Sequence, residues 1–196
     1  MCYFPLGVIL LPLIGSFFSV GTSIVCVGSF FALKWLFGFS AMTFGIPTAC
    51  AAANWSVHTE KKSFKNELKK IAISVFLPVL CILLFVMHPV GSAAFFYSFF
   101  WLIPIALYFV QTFFFRSFWL TGLCSTFIAH AVGSVIWLYT VPTVPAKWIS
   151  LIPIVMYERF LFATLAASAY AIIRWAMNKS WVRRRISIFY VCLAGK

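Results

Sequence analysis

The stretch ISVFLPVLCILLFVM (73–87) contains no charged residue and does not alternate between apolar and polar side chains. Strands of a membrane β-barrel alternate with a period of two, so this run indicates a helix. Similar runs recur along the chain: 64% of its 196 residues are hydrophobic and 9% are charged. A soluble domain is typically about one quarter charged. The sequence therefore predicts an all-α, polytopic membrane protein.

Six segments are apolar enough and long enough to cross a bilayer, which takes about 20 residues of helix. The connection SVHTEKKSFKNELKK (56–70) is expected to lead as an amphipathic helix into the third segment, and the tail 176–196 is basic. We predict a single domain, 1–196, that forms a bundle of about six transmembrane helices in a cell membrane. The predicted spans are 5–33, 35–55, 71–87, 93–115, 117–139 and 148–175.

The basic residues predict the orientation of this bundle. If both termini are cytoplasmic, twelve Lys and Arg residues lie in the inside regions, and only Lys34 and Lys147 lie in outside loops. Cytoplasmic loops of membrane proteins carry such an excess. Topology and anionic lipid headgroups thus account for the net charge of +12, and we expect no nucleic acid among the partners.

Small residues recur at every fourth position in two of the predicted spans. Spacing of this kind lets membrane helices approach closely. The two stripes serve either internal packing of the bundle or docking of another membrane subunit. They consist of Gly15, Ser19 and Ser23 in the first span and of Ala163, Ala167 and Ala171 in the sixth.

The phrase His-x-Val-Gly-Ser occurs twice, at 88–92 and at 130–134, and Tyr97 and Tyr139 follow the two copies at the same distance. Transporters often contain internal repeats with a binding site near the repeat interface. The alternative is a chance match in a sequence of low complexity. The first histidine is predicted at the outer end of the third span and the second near the middle of the fifth, so their depths differ.

Three ionisable residues are predicted near the middle of the bilayer: His130, Glu158 and Arg159. Such groups are costly in lipid and are therefore candidates for function. One interpretation is a clamp between helices, for example Glu158 with His130 or Arg116. The other is a ligand pocket open to the outside. Aromatic residues of the outer half either wall that pocket or form the interfacial belt. Those proposed for the pocket are Tyr97, Trp101, Trp137 and Tyr139.

The sequence contains no pattern that supports an enzyme. The letters AHAVGS (129–134) are similar to the histidine helix of rhomboid proteases, but the Gly-x-Ser-Gly stretch of their nucleophile is absent. Neither a metal-binding His-Glu-x-x-His nor a phosphate-binding Gly-rich signature occurs. We therefore expect no catalytic residues, no metal and no cofactor, and the chain carries no signature for using ATP by itself.

In size, six-helix topology and charge, the chain resembles the substrate-binding (S) components of energy-coupling-factor (ECF) vitamin transporters. The resemblance implies capture of a vitamin-like micronutrient from outside, with a transmembrane coupling subunit and two cytoplasmic ATPases as partners. In that family an Ala-x-x-x-Ala pattern of the first helix makes the docking face, and the stripe at Gly15, Ser19 and Ser23 keeps its spacing. The rival hypothesis is a structural or assembly factor whose buried polar residues only hold helices together.

Overall fold

The computed structural model describes residues 11–36, 42–59 and 63–178, and every regular element within these ranges is helical. A 3₁₀ turn at Leu11–Ser16 precedes the first long helix, and a short helix at Pro89–Ala93 lies between the third and the fourth. The fourth helix begins with 3₁₀ turns at Phe95–Trp101. The long helices are α1 (Val20–Leu36), α2 (Met42–Thr59), α3 (Phe64–Met87), α4 (Phe95–Phe113), α5 (Phe118–Thr140) and α6 (Pro145–Asn178).

Four of these helices, α3 to α6, are long and apolar enough to cross a membrane. The described part of the chain thus confirms the predicted all-helical fold, and its four long apolar helices are compatible with the predicted membrane protein. Below, the end of the bundle that holds Met87, Thr140 and Pro145 is called the outer end. The opposite end, which holds Thr59 and Phe64, is called the inner end. These names follow the orientation predicted from the charges.

The predicted first span (5–33) is not one continuous helix in its described part. The chain turns between Ser16 and Val20, where the 3₁₀ turn stops and α1 begins. A Cβ on Gly15 would lie 1.9 Å from the carbonyl oxygen of Ala52, so only glycine lets this turn rest on α2. The Ser56 hydroxyl of α2 donates to the Phe18 carbonyl at 2.7 Å, which satisfies the interrupted backbone.

This interruption changes the expected stripe of small residues. Gly15 packs inside the bundle on α2, whereas Ser19 is exposed at the start of α1 and accepts from the Thr22 backbone N–H at 3.5 Å. Ser23 is buried one turn later. The expected stripe of Gly15, Ser19 and Ser23 is therefore not formed, because the three residues do not belong to one helix.

The amphipathic lead into the third span is present as the first turns of α3, and the helix continues through a π turn at Ala72–Phe76. Pro78 follows directly and has no backbone N–H to give to the Ser74 carbonyl, four residues earlier. Such a proline favours a local change of helical hydrogen bonding. The π turn also carries the buried Ser74 side chain, which contacts α2.

Helices α2 and α5 pack along each other at the centre of the bundle, and α6 packs against α5 and, through Tyr170, against Trp55 of α2. Of the predicted alanine stripe in α6, only Ala163 is buried; Ala167 is partly buried and Ala171 is exposed. The buried side of α6 shares only Ala163 with that stripe. It consists of Trp148, Val155, Arg159, Phe162, Ala163, Ala166 and Tyr170.

Candidate functional site

His130 lies near the middle of α5, as its position in the fifth predicted span suggested. Its Nε2 atom is 2.8 Å from the hydroxyl of Tyr97, which comes from the 3₁₀ start of α4. The Ser134 hydroxyl, one turn further along α5, is 3.5 Å from the same nitrogen. The histidine therefore joins α4 to α5 through a hydrogen bond in the interior.

Arg159 is 7% exposed, on the side of α6 that packs into the bundle. Its Nη2 donates to Oε2 of the adjacent Glu158 at 3.1 Å, and its guanidinium carbon lies 4.9 Å from the ring centre of Phe162. The Nε–H is buried and has no hydrogen-bond partner among the described residues. A guanidinium offers five N–H donors, so this cation is only partly satisfied.

These two features belong to a single cluster. The guanidinium of Arg159 lies within electrostatic range of both the His130 ring and the Tyr97 hydroxyl. Side chains from α4, α5 and α6 thus converge in the outer half of the bundle. We call Tyr97, His130, Ser134, Glu158 and Arg159 the outer polar cluster.

The expected clamp between Glu158 and either His130 or Arg116 is not formed. Glu158 pairs with Arg159 of its own helix, and His130 bonds to Tyr97 instead. Neighbouring side chains leave a helix about 100° apart. Both side chains are long enough to bend toward each other, and this local contact replaces the contact between helices.

The predicted aromatic wall is mostly a packed core. Phe85 is completely buried at its centre, with the rings of Trp101 and Trp148 each standing on it edge to face at 5.1 Å. Tyr97 stacks on Phe85 at 5.8 Å, so its hydroxyl end reaches His130 while its ring belongs to the core. Trp101 therefore belongs to the packed core of the outer half.

The remaining two predicted aromatics lie further out. Trp137 contacts Trp148, and the Lys147 ammonium lies 4.6 Å above its ring. Tyr139 is 53% exposed, and its hydroxyl donates to the Leu84 carbonyl at 2.9 Å. It also lines a shallow apolar groove of about 380 Å³, formed with Leu84, Val135, Ile136 and Thr140. This groove does not include the outer polar cluster.

The two His-x-Val-Gly-Ser phrases contact each other's tyrosines. Tyr97, which follows the first phrase, bonds to His130 of the second. Tyr139, which follows the second phrase, places its ring 5.1 Å from that of His88 in the first. The local structures differ nonetheless, since His88 caps the helix at Pro89–Ala93 whereas His130 lies inside α5. The predicted difference in depth is thus observed together with a reciprocal contact.

A second polar cluster, which was not predicted from the sequence, lies nearer the inner end. The amide of Asn54 in α2 donates to the Ser125 hydroxyl of α5 at 2.8 Å and accepts from the Ser74 hydroxyl of α3 at 2.9 Å. Ser125 in turn donates to the Thr121 carbonyl. All three partners are completely or almost completely buried. The signal in the sequence was an amide inside the apolar letters AAANWS (51–56).

His58 lies at the inner end of α2, beyond the predicted second span (35–55). Burial, assisted by the positive charges of Lys70 and Arg116, lowers the pKa of its imidazole from 6.5 to about 4, although the carboxylate of Glu67 opposes this shift. Its Nε2 is buried and has no hydrogen-bond partner among the described residues. The ring is therefore neutral at pH 7, between two cations.

Within the described ranges, no group of three or more His, Cys, Asp or Glu side chains is arranged to hold a metal ion. Of the cysteines described there, Cys26, Cys50, Cys81 and Cys124 carry free thiols. Neither observation points to a cofactor of known type. Comparison with known proteins gave no match to any protein-family model, to any curated protein or to any solved structure.

Proposed function

We propose that the chain is a multi-pass membrane protein that binds a small solute from the outside, in the outer half of its helical bundle. In this proposal the six predicted segments all span the membrane and both termini are cytoplasmic. The support for this orientation is the unequal distribution of basic residues, twelve against two. The solute would be held by the outer polar cluster.

The observation that carries the proposal is the state of Arg159. A charged group inside a membrane protein usually pairs, lines a pathway or binds a ligand. Arg159 is almost fully buried, its one ionic partner among the described residues is its neighbour Glu158, and its Nε–H is unpartnered. Arg159 therefore retains hydrogen-bonding capacity that a solute can use.

The chemistry of the cluster favours a solute that carries a carboxylate or a similar anionic group. Guanidinium and carboxylate match in geometry and form paired hydrogen bonds. His130 and Tyr97 supply further polar atoms next to the cation. The solute's carboxylate would then compete with the Glu158 carboxylate for the same guanidinium, and this competition links binding to the conformation of α6.

Uptake of the bound solute would require a source of energy. The sequence contains no nucleotide-binding signature. We therefore propose that a transmembrane coupling subunit with cytoplasmic ATPases supplies this energy, as the resemblance to ECF substrate-binding components implies. The part of the alanine stripe that is not fully buried, Ala167 and Ala171, is the surface of α6 that such a subunit would meet.

A ligand screen on the purified protein tests the binding site. Thermal unfolding is measured in detergent with a panel of vitamins, amino acids and nucleobases, for the wild type and for Arg159→Gln. Arg174→Gln is the matched control, because it removes the same charge from an exposed position of the same helix. We expect a carboxylate-bearing ligand to raise the Tm of the wild type and of the control but not of Arg159→Gln.

The milder variant Tyr97→Phe protects the test against a folding defect of Arg159→Gln. It removes only the hydroxyl next to His130 and should weaken the response to the same ligand. If no ligand raises the Tm of the wild type, and both variants only lower it, the solute-binding proposal is refuted.

The second candidate function is that of a structural or assembly factor. Its support is the Asn54 side chain, which joins α2, α3 and α5 through buried hydrogen bonds. Polar contacts of this kind hold membrane helices together without any ligand. An outcome in which the outer polar cluster affects only stability favours this function.

A further inference from the structure

The first turns of α3 present an apolar edge beside two exposed lysines at the inner end of the bundle. Phe64 is 85% exposed, and Leu68, one turn later, is also exposed on the same side of the helix. Lys65 and Lys69 are exposed next to them. An exposed phenylalanine is unfavourable in water, so this edge is suited to the headgroup and acyl-chain boundary of a bilayer.

The opposite side of the same turns is fixed to the protein. Lys70 is buried and its ammonium lies 2.7 Å from the Glu67 carboxylate. Lys70 also lies within electrostatic range of His58 at the end of α2. The apolar edge is therefore held outward by contacts on the other face of the helix.

The turn between α4 and α5 repeats the combination of aromatic and basic side chains. Phe113, Phe114 and Phe115 are each well exposed, and the exposed Arg116 follows them. This turn lies at the inner end of the bundle, because α4 begins near the outer end and ends at Phe113. We call Phe64, Lys65, Leu68, Lys69, Phe114 and Arg116 the inner rim.

We propose that the inner rim binds anionic phospholipids, with the basic side chains of α3 (Lys65 and Lys69) and of the α4–α5 turn (Arg116) at phosphate headgroups and the exposed phenylalanines among the acyl chains. Three cations at the edge of an apolar helical surface complement a negatively charged membrane surface. Lys61 and Lys62, which precede these turns in the sequence, increase the positive charge of the segment. This inference is separate from the solute site and holds whether or not a solute binds there.

The combination favours a lipid over a soluble anion. A free phosphate group would bind to the cations but would gain no binding energy from Phe64, Leu68 or Phe114. A lipid uses both, because its headgroup meets the cations while its acyl chains solvate the rings. The soluble headgroup alone is thus expected to bind far more weakly than the intact lipid.

Lipid titration of the purified protein, followed by native mass spectrometry, tests this assignment. Phosphatidylglycerol is titrated into the protein in a neutral detergent, with phosphatidylcholine as the neutral lipid and glycerol 1-phosphate as the soluble headgroup. The single variants Lys65→Gln, Lys69→Gln and Arg116→Gln are compared with the wild type. Lys147→Gln is the matched control, because it removes one exposed charge at the outer end.

We expect each inner-rim variant to weaken the affinity for phosphatidylglycerol about fivefold, the effect of one basic residue near a charged membrane surface. Phe64→Ser should also weaken it, whereas Lys147→Gln should leave it unchanged. Equal affinities of the inner-rim variants and of Lys147→Gln would overturn the proposal. The proposal would also be overturned if glycerol 1-phosphate bound as tightly as the lipid, because that would indicate a site for a soluble anion. A dimer that Phe64→Ser dissociates would overturn it as well, because that would indicate that a second copy of the chain covers this surface.

Discussion

The Tyr97 hydroxyl and Nε2 of His130 lie 2.8 Å apart and join the start of α4 to the middle of α5. The tyrosine ring also belongs to the aromatic core around Phe85, so this one residue connects the outer polar cluster to the packing of the outer end. The contact therefore ties His130 to that aromatic core. Loss of this contact should lower the stability of the protein and weaken any response to a ligand.

Tyr97→Phe should lower the free energy of unfolding by about 0.5–1.5 kcal/mol, because it removes a part-buried hydrogen bond and leaves the ring nitrogen of His130 with only the longer contact to Ser134. Thermal unfolding in detergent measures the change. Tyr139→Phe is the control, since its hydroxyl bonds to a backbone carbonyl at an exposed position and its loss should matter less. An equal or larger loss in the control would contradict the assignment.

The two glycines of the repeated phrase should respond in opposite ways to alanine. A Cβ on Gly91 would lie 1.9 Å from the Phe85 carbonyl oxygen, so Gly91→Ala should lower stability by about 1–3 kcal/mol or more. A Cβ on Gly133 would lie 3.4 Å from the Pro47 ring, an ordinary contact. Because glycine inside a helix is about 0.5–1 kcal/mol less favourable than alanine, Gly133→Ala should be neutral or stabilising.

Thermal unfolding of the two glycine variants, side by side, gives the comparison. A Gly91→Ala protein as stable as the wild type would mean that the helix at Pro89–Ala93 does not rest on Phe85 as described.

Asn54→Leu should destabilise the bundle more than Ser74→Ala does. The leucine variant breaks both contacts between helices, whereas the serine variant leaves the Asn54–Ser125 bond in place. We expect losses of about 2–4 kcal/mol and about 1–2 kcal/mol respectively. A double-mutant cycle of Ser74→Ala with Asn54→Leu should show coupling of at least about 0.5 kcal/mol, and strict additivity would mean that the two residues act independently.

Acid should destabilise the folded protein through His58. The pKa of this imidazole is about 4 in the folded state and 6.5 in the unfolded state. Between these two pH values the imidazole is protonated in the unfolded chain but remains neutral in the folded chain. This contribution to stability is complete above pH 6.5 and is lost progressively as the pH falls toward 4. The loss amounts to about 2 kcal/mol at pH 5.

The Tm measured at pH 7 and at pH 5, for the wild type and for His58→Asn, isolates this contribution. The variant should lose part of the acid sensitivity, because asparagine does not titrate in this range. The same drop in Tm for both proteins would assign the acid sensitivity to other groups.

The elements of the fold could be read largely from the sequence. Long apolar runs without alternation require helices in a bilayer, where every backbone polar group must find an internal partner. For this reason α4, α5 and α6 begin and end close to the predicted positions, and α3 ends at the predicted residue. The break before Val20 could not be read, because it depends on the fit of Gly15 against Ala52 and on the Ser56 hydroxyl of another helix.

The candidate site, like the fold, could be predicted only in part from the sequence. The burial of Arg159 and the partial burial of His130 followed from their place in apolar runs, since a polar group at membrane depth is costly unless it faces the protein interior. Their partners did not follow, because hydrogen bonds depend on which helix faces lie within about 3 Å of each other. Tertiary packing turned Tyr97 to His130, left Glu158 with Arg159, and brought Asn54 between Ser74 and Ser125. The sequence by itself thus determined a helical membrane protein with buried polar residues, and only the tertiary structure decided which of those residues meet.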